Sequence, residues 1–302
     1  IMPSLVGSEM CIRDRIWIGV RCTNKNFKTK LLCILCIAAI FMTGCGFQKE
    51  TIENPYSLYE SSSTASASQL FAKNLCVTDD VNYGTDKVDS NLAESAGVFN
   101  VDTKEVLYSQ NLFEKLYPAS TTKILTCIVA MEQCKPDEVV TFSAKAASQP
   151  KVHLGAKKGE QFYMQDLWYG LMLESYNDCA YAIAEHVAGS AEKFAALMNE
   201  KAKKIGCTDS YFVTPNGLDG KTKEGEHHTT AQDLSRIMRY CAWNSPQSEV
   251  FLTLTQTRNH SFCDMDGKSF QVSNKNAFLD MMNCAITGKT GFTAKAGSVS
   301  YT

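Results

Sequence analysis

Hydrophobic and polar positions change their period several times along this chain, and each change predicts an element. A charge-free apolar run from Leu31 to Met42 follows Lys25, Lys28 and Lys30. Spanning a hydrocarbon layer about 30 Å thick takes ~20 helical residues, so the run is too short to cross and fits an export signal. From Gly46 to about Ser90 the periodicity disappears, in a polar stretch holding SSSTASAS at 61–68. This predicts a flexible linker, with a short helical piece around Gln69–Leu75. Two β-rich runs within Ser95–Asn111 flank Asp102-Thr103-Lys104 and predict a hairpin. The period then becomes helical: Ile124, Leu125, Ile128 and Val129 lie on one face of a helix starting near Ser120. Further helices are predicted over Met164–Met172, over Asp178–Val187 (stopped by Gly189) and over Ala191–Ile205 (capped by Ser190, stopped by Gly206). Another spans Thr230–Tyr240, where Thr230 and Asp233 resemble a capping box. Strands are expected at Phe251–Thr257, Ser269–Val272 and around Lys289. Strands flanking a helical middle indicate an α+β architecture.

Composition narrows the function classes. The 302 residues are 44% hydrophobic and 21% charged, enough to bury a full core. A net charge of -2 supplies no bulk attraction to nucleic acid or to an anionic membrane surface. The 13 cysteines sit in apolar runs, as at Cys33, Cys36, Cys127, Cys179 and Cys241, without paired or metal-type spacing. Most of them read as small buried hydrophobes, and the five histidines include no HExxH.

Both ends have a foreign look. Residues 1–15, which include SLVGSEMCIRDR, resemble a translated sequencing-library adaptor, and 298–302 resemble the same adaptor read from its opposite strand. The expectation is that both are assembly artefact and that the natural polypeptide continues past Gly297. Residues 16–45 read as a signal peptide, and Thr43-Gly44-Cys45 after the apolar run resembles a bacterial lipobox. That resemblance implies lipidation of Cys45 and anchoring at the extracytoplasmic face of a bacterial membrane; ordinary cleavage nearby is the alternative. Residues 46–90 would be the linker.

Three short constellations carry the chemistry. Ser120 and Lys123 in PASTTK lie three apart where a helix opens, so one turn places both side chains on one face. A hydroxyl becomes a nucleophile when a neighbouring base takes its proton, and a lysine amine serves if it is neutral. Two other Ser-x-x-Lys runs are decoys: Ser148–Lys151 contains Pro150, and Ser190–Lys193 reads as a helix cap followed by a solvated lysine. Ser175-Tyr176-Asn177 falls on a connection between helices, where a hydroxyl and an amide two apart share a cavity; a plain cap turn is the bland alternative. Lys289-Thr290-Gly291, followed by Phe292, offers a charge, a hydroxyl and a close-approach glycine along an edge strand, suited to a carboxylate.

In this order the three resemble the signature of active-site-serine penicillin-recognising enzymes. Flanking TPNGL (214–218), HHTTAQDL (227–234) and GKTGFTAKAG (288–297) make the chain, from about Leu92 to Gly297, similar to the D-alanyl-D-alanine carboxypeptidases. Tyr176 departs from the small residue often found there. The resemblance implies a β-lactamase/transpeptidase-like fold, an antiparallel sheet plus a helical subdomain, over 91–297, C-terminally incomplete. It implies that Ser120 attacks the penultimate D-alanine of a peptidoglycan stem peptide, with Lys123 as base, Ser175 as proton relay and Asn177 beside them. Backbone N–H groups of Ser120 and Phe292 would form an oxyanion hole, and Lys289, Thr290 and Gly291 would hold the terminal carboxylate. No metal or organic cofactor is implied, and β-lactams would be covalent inhibitors. A class A β-lactamase shares the motifs but adds a deacylating carboxylate; Glu192 and Glu200 fall instead on a predicted amphipathic helix. A penicillin-binding sensor or scaffold is the non-catalytic alternative.

Overall fold

The computed structural model describes residues 82–85, 93–101, 105–282 and 284–301. The adaptor-like start, the signal-like run with Cys45, nearly all of the polar linker and the Asp102–Lys104 turn lie outside them.

Strands β1 (Ala96–Asn100) and β2 (Glu105–Gln110) form the expected antiparallel hairpin, with a bulge between Val98 and Phe99. A single 3-10 turn, Ala119–Thr121, then runs without a break into helix α1 (Thr122–Gln133). Every residue of α1 from Thr122 to Met131 is buried, apolar ones on all sides, so it is the central helix of the molecule. Each fully buried Leu, Ile or Met contributes roughly 1.5–3 kcal/mol. The helix stops at Cys134, whose backbone is extended, with Pro136 two residues on.

Strands β3 (Val139–Thr141) and β4 (Gln161–Tyr163) pair around the short α2 (Ala144–Ala147). Helix α3 (Met164–Tyr169) widens over Gly170–Glu174 into a π turn, which is why it ends short of the predicted Met172. Helices α4 (Asn177–Ala188) and α5 (Ala191–Ile205) follow, closed by left-handed Gly189 and Gly206 as their sequences predict. Ser190 Oγ accepts from Lys193 N at 3.2 Å, so this Ser-x-x-Lys run is a cap. Glu192 and Glu200 lie on the exposed face of α5. In α6 (Ala231–Arg239), Thr230 caps Asp233 N, while the Asp233 carboxylate turns away to Asp209 N and Arg236. Only half of the capping box forms.

The expected strand at Phe251–Thr257 is instead helix α7 (Ser248–Gln256). Phe251, Leu254 and Thr255 face the core at spacings of three and four, and that burial overrides the strand preference of the threonines that alternate with Leu252 and Leu254. A hairpin of β5 (Asn259–Cys263) and β6 (Ser269–Ser273) comes next. Phe162 meets Phe142 and Phe270 edge to face, each at 5.4 Å, packing the β3–β4 and β5–β6 pairs together. After α8 (Phe278–Met281), β7 (Lys289–Thr293) and β8 (Gly297–Tyr301) close the described chain as an antiparallel pair. The adaptor-like residues 298–301 thus lie in β8; ladder pairing uses backbone groups and is indifferent to where the residues come from.

The first hairpin does not share a sheet with the Lys289 strand. Among the described residues β1 pairs with β2 and β7 with β8, in separate two-stranded sheets. Between the free edges of β1 and β8 lies a cavity of about 490 Å³, lined by Ala96, Phe99, Leu234, Val299 and Tyr301 among others. No ladder joins the two edges among the described residues. No described helix is long and apolar enough to cross a membrane.

Candidate active site

The turn that carries Ser120 is held from both sides. Thr121 Oγ1 donates to Pro118 O at 2.6 Å, and Ala119, at φ 48, sits fully buried in the left-handed region. Gly217 packs so tightly on this turn that a Cβ there would fall 1.8 Å from Ala119 O. Because 3-10 turn and helix are continuous, Ser120 and Lys123 stack one turn apart, with Nζ 2.9 Å from Ser120 Oγ.

Lys123 is wholly buried, and its Nζ also reaches Asn177 Oδ1 at 2.9 Å and Asn216 O at 2.6 Å. Burial, and secondly the charge of Lys289, hold its pKa well below the usual lysine value, outweighing Cys179 and Asp178. A neutral amine has two N–H bonds and one lone pair. Asn177 and Asn216 can take the two protons, which leaves the lone pair for the Ser120 hydroxyl.

Ser175 ends the π turn in the left-handed conformation, φ 68, and Asn177 opens α4. The turn therefore aims Asn177 at Lys123, while Asn177 Nδ2 donates to Pro150 O at 3.0 Å. Asp178 anchors the facing loop, its two carboxylate oxygens accepting Leu154 N and Gly155 N at 2.9 Å each. Ser175 Oγ is buried and makes no hydrogen bond among the described residues; unlike Asn177, it is not tied to Lys123.

The Lys-Thr-Gly strand β7 lies against the Ser120 turn. A Cβ on Gly291 would sit 2.7 Å from Ser120 N, so only glycine allows this approach. Lys289 is 2% exposed, donates to Thr290 O at 2.6 Å, and is brought down to about 7 by burial. Phe292, just beyond Gly291, is 70% exposed. The β1–β8 cavity contains neither Ser120 nor Lys123; the hydrogen-bonded cluster, not that cavity, is the candidate site.

Asn216, Asp178 and His227 hold the site together without having been singled out by type and spacing. Asn216 lies in TPNGL and His227 in HHTTAQDL, two runs that resemble the family's without a spacing that itself points to chemistry. Thr126 Oγ1 donates to Pro215 O at 2.6 Å, fastening the TPNGL loop to α1. His227 Nδ1 accepts from Val213 N and Thr214 N at 3.0 and 3.2 Å, so its proton is on Nε2, 3.0 Å from Thr122 Oγ1. Burial lowers its pKa to about 4.

A serine–lysine pair at the mouth of a buried helix, a Ser-x-Asn turn facing it and a Lys-Thr-Gly strand across it, on this α+β frame, define the penicillin-binding/DD-transpeptidase fold class. Residues 83–300 match the peptidase S11 family, described as D-alanyl-D-alanine carboxypeptidase. The chain belongs to that family. It is 32% identical over 213 residues to the D-alanyl-D-alanine carboxypeptidase DacF of Bacillus subtilis, covering 68% of this chain and 52% of that protein. DacB2 of Mycobacterium tuberculosis is 32% identical over 199 residues, 66% of each chain. The chain spans about half the length of DacF and of several other curated relatives it matches. Among solved structures, the D-alanyl-D-alanine carboxypeptidase of Mycobacterium tuberculosis superposes with TM-score 0.62 at 31% identity, over 68% of this chain and 75% of that one. Penicillin-binding protein D2 of Listeria monocytogenes, in its ampicillin-bound form, gives 0.58 at 26% identity, over 68% and 82%.

Proposed function

We propose that this chain carries the catalytic centre of a serine D-alanyl-D-alanine carboxypeptidase, which removes the terminal D-alanine from peptidoglycan stem peptides. The observation that carries the reading is the buried Lys123 amine, its pKa depressed, 2.9 Å from Ser120 Oγ. Ser120 Oγ attacks the carbonyl carbon of the penultimate D-alanine while its proton passes to Lys123 Nζ. The oxyanion of the tetrahedral intermediate is received by the N–H groups of Ser120 and Phe292, each such donor lowering the barrier by about 3 kcal/mol. Ser175, whose hydroxyl makes no hydrogen bond among the described residues, relays a proton to the leaving amine. Lys289 and Thr290 hold the substrate carboxylate. Water then cleaves the acyl-enzyme and restores Ser120. β-Lactams acylate the same hydroxyl, a reading supported by the likeness to an ampicillin-bound protein. Export through the Leu31–Met42 signal, with Cys45 lipidated, would place this chemistry at the extracytoplasmic membrane face.

The test is covalent labelling by fluorescent penicillin together with D-alanine release from a diacetyl-Lys-D-Ala-D-Ala peptide. Both are expected of the full-length protein and neither of its Ser120→Ala variant. Labelling of Ser120→Ala would remove the nucleophile assignment. Labelling without D-alanine release would favour the sensor, and rapid penicillin turnover a β-lactamase.

A further inference from the structure

The chain also holds a donor cluster that the serine chemistry does not use. Cys134 is the residue that ends α1, its backbone N–H fixed on Ala130 O at 2.9 Å. Glu138 lies just before β3, and Lys135 N donates to its Oε1 at 2.7 Å, leaving Oε2 to point toward α4. His186, in the last turn of α4, places Nε2 2.9 Å from that Oε2. One sulfur, one ring nitrogen and one carboxylate oxygen from these residues all lie within 4.8 Å of one another. Around a tetrahedral zinc-type ion, with bonds of roughly 2.0–2.3 Å, such atoms stand roughly 3.3–3.8 Å apart. Rotamer adjustments on the order of 1 Å therefore convert the cluster into a three-point ligand set.

We propose that Cys134, Glu138 and His186 bind one zinc-type divalent cation, which staples together the far ends of α1 and α4. Thiolate with imidazole and a single carboxylate suits zinc or cobalt and not calcium or magnesium, which take oxygen ligands. A water completes the fourth position on the solvent side, where the His186 side chain is 26% exposed. Binding exchanges the Sγ–H bond of Cys134 for a sulfur–metal bond and releases that proton to solvent. His186 binds as neutral imidazole through Nε2, and nothing is oxidised or reduced.

The placement gives the ion a purpose. Helices α1 and α4, of 12 residues each, meet at their starts through Lys123 and Asn177. At about 1.5 Å per residue, their other ends lie on the order of 18 Å from that contact. There Cys134 and His186 come together. A metal at this point ties the parallel pair at the end opposite the hydrogen bond and leaves the reacting groups untouched; it stabilises the frame and takes no part in the reaction.

Cobalt titration of the chelator-stripped full chain tests the site. A near-ultraviolet thiolate-to-cobalt charge-transfer band saturating at one equivalent is expected, erased by added zinc. Cys134→Ser should abolish the band and His186→Gln should weaken cobalt binding at least tenfold, with circular dichroism showing both variants folded. Zinc should raise the melting midpoint of the parent chain and not of Cys134→Ser. Zinc-edge X-ray absorption of the parent chain, which needs no variant, should show one sulfur among nitrogen and oxygen ligands. Absence of the band at saturating cobalt, its persistence in Cys134→Ser, or more than one sulfur around zinc would each overturn the proposal; the last two outcomes would mean that other cysteines capture the metal.

Discussion

Lys123 and Lys289 are both buried lysines, yet the proposed reaction asks opposite things of them. Lys123 must be neutral, and burial with the neighbouring Lys289 charge pushes it that way; Lys289 must be charged to hold a carboxylate. Lys123→Arg should therefore abolish penicillin acylation, a loss beyond 1,000-fold on the order expected when a general base is removed, because guanidinium keeps its proton. Lys289→Arg should cost about tenfold or less, since it preserves the charge. With Lys289 at about 7, the kcat/KM for a peptide with a free C-terminal carboxylate should fall above pH 7 as the ammonium is lost. That limb should vanish in Lys289→Arg and for a substrate whose terminus is amidated; an alkaline limb retained in both would sink the division of roles. His227 gives a second pH signature. It titrates at about 4 in the fold, against an ordinary value of 6.5. Between those values the unfolded chain binds the extra proton, so stability falls as pH drops through the window, by roughly 3 kcal/mol in all. Urea unfolding at pH 7, 5.5 and 4 should show that loss in the parent chain and a flatter profile in His227→Gln; parallel profiles would refute it.

Among the elements, the turn before α1 depends on contacts far away in sequence. Gly217 combines φ +81 with a path that would put a Cβ 1.8 Å from Ala119 O. Gly189, at the end of α4, has a similar φ of +79 and nothing within 4 Å of its Cβ position. Gly189→Ala should cost about 1 kcal/mol, the strain of a left-handed residue alone. Gly217→Ala adds a backbone collision and should cost about 3 kcal/mol or more while displacing the Ser120 turn. Thermal unfolding with penicillin labelling separates the two: equal destabilisation, or normal labelling of Gly217→Ala, would contradict this account. The contrast also marks what the sequence can express. Both glycines look like punctuation, but the stop at Gly189 is a property of α4 itself, whereas the constraint at Gly217 exists because α1 passes beside it.

For the whole molecule, stability should be uneven. Helix α1 is enclosed by α4, α5 and α6, with its residues from Thr122 to Met131 buried. The β7–β8 pair is joined by one ladder and rests on the Ser120 turn through β7, while beyond the outer edge of β8 lies the cavity facing β1. Elements with few buried contacts and a solvent-facing edge open at lower free energy than the core. Hydrogen exchange should accordingly find the amides of 297–301 exchanging at least tenfold faster than those of 124–131, on the order of 1.4 kcal/mol per tenfold. Equal protection of the two segments would show a sheet more firmly integrated than its pairing indicates.

What the sequence determined by itself was local. A spacing of three at a helix start brings Ser120 and Lys123 together whatever surrounds them, because one turn of helix fixes it; Ser190, Gly189 and Gly206 bound α4 and α5 for the same reason. The order of the three motifs was enough to point to the family. Tertiary structure decided the rest. Phe251–Gln256 is helical because its buried face, not its strand preference, sets the outcome. Asn216 delivers its carbonyl to Lys123 across 93 positions of sequence, and His227 its ring to Thr122 across 105. The meeting of Cys134, Glu138 and His186 was equally invisible. Short-range geometry follows from the backbone of adjacent residues; contacts across the chain follow from how helices and strands share a core, and no spacing in the sequence records that choice.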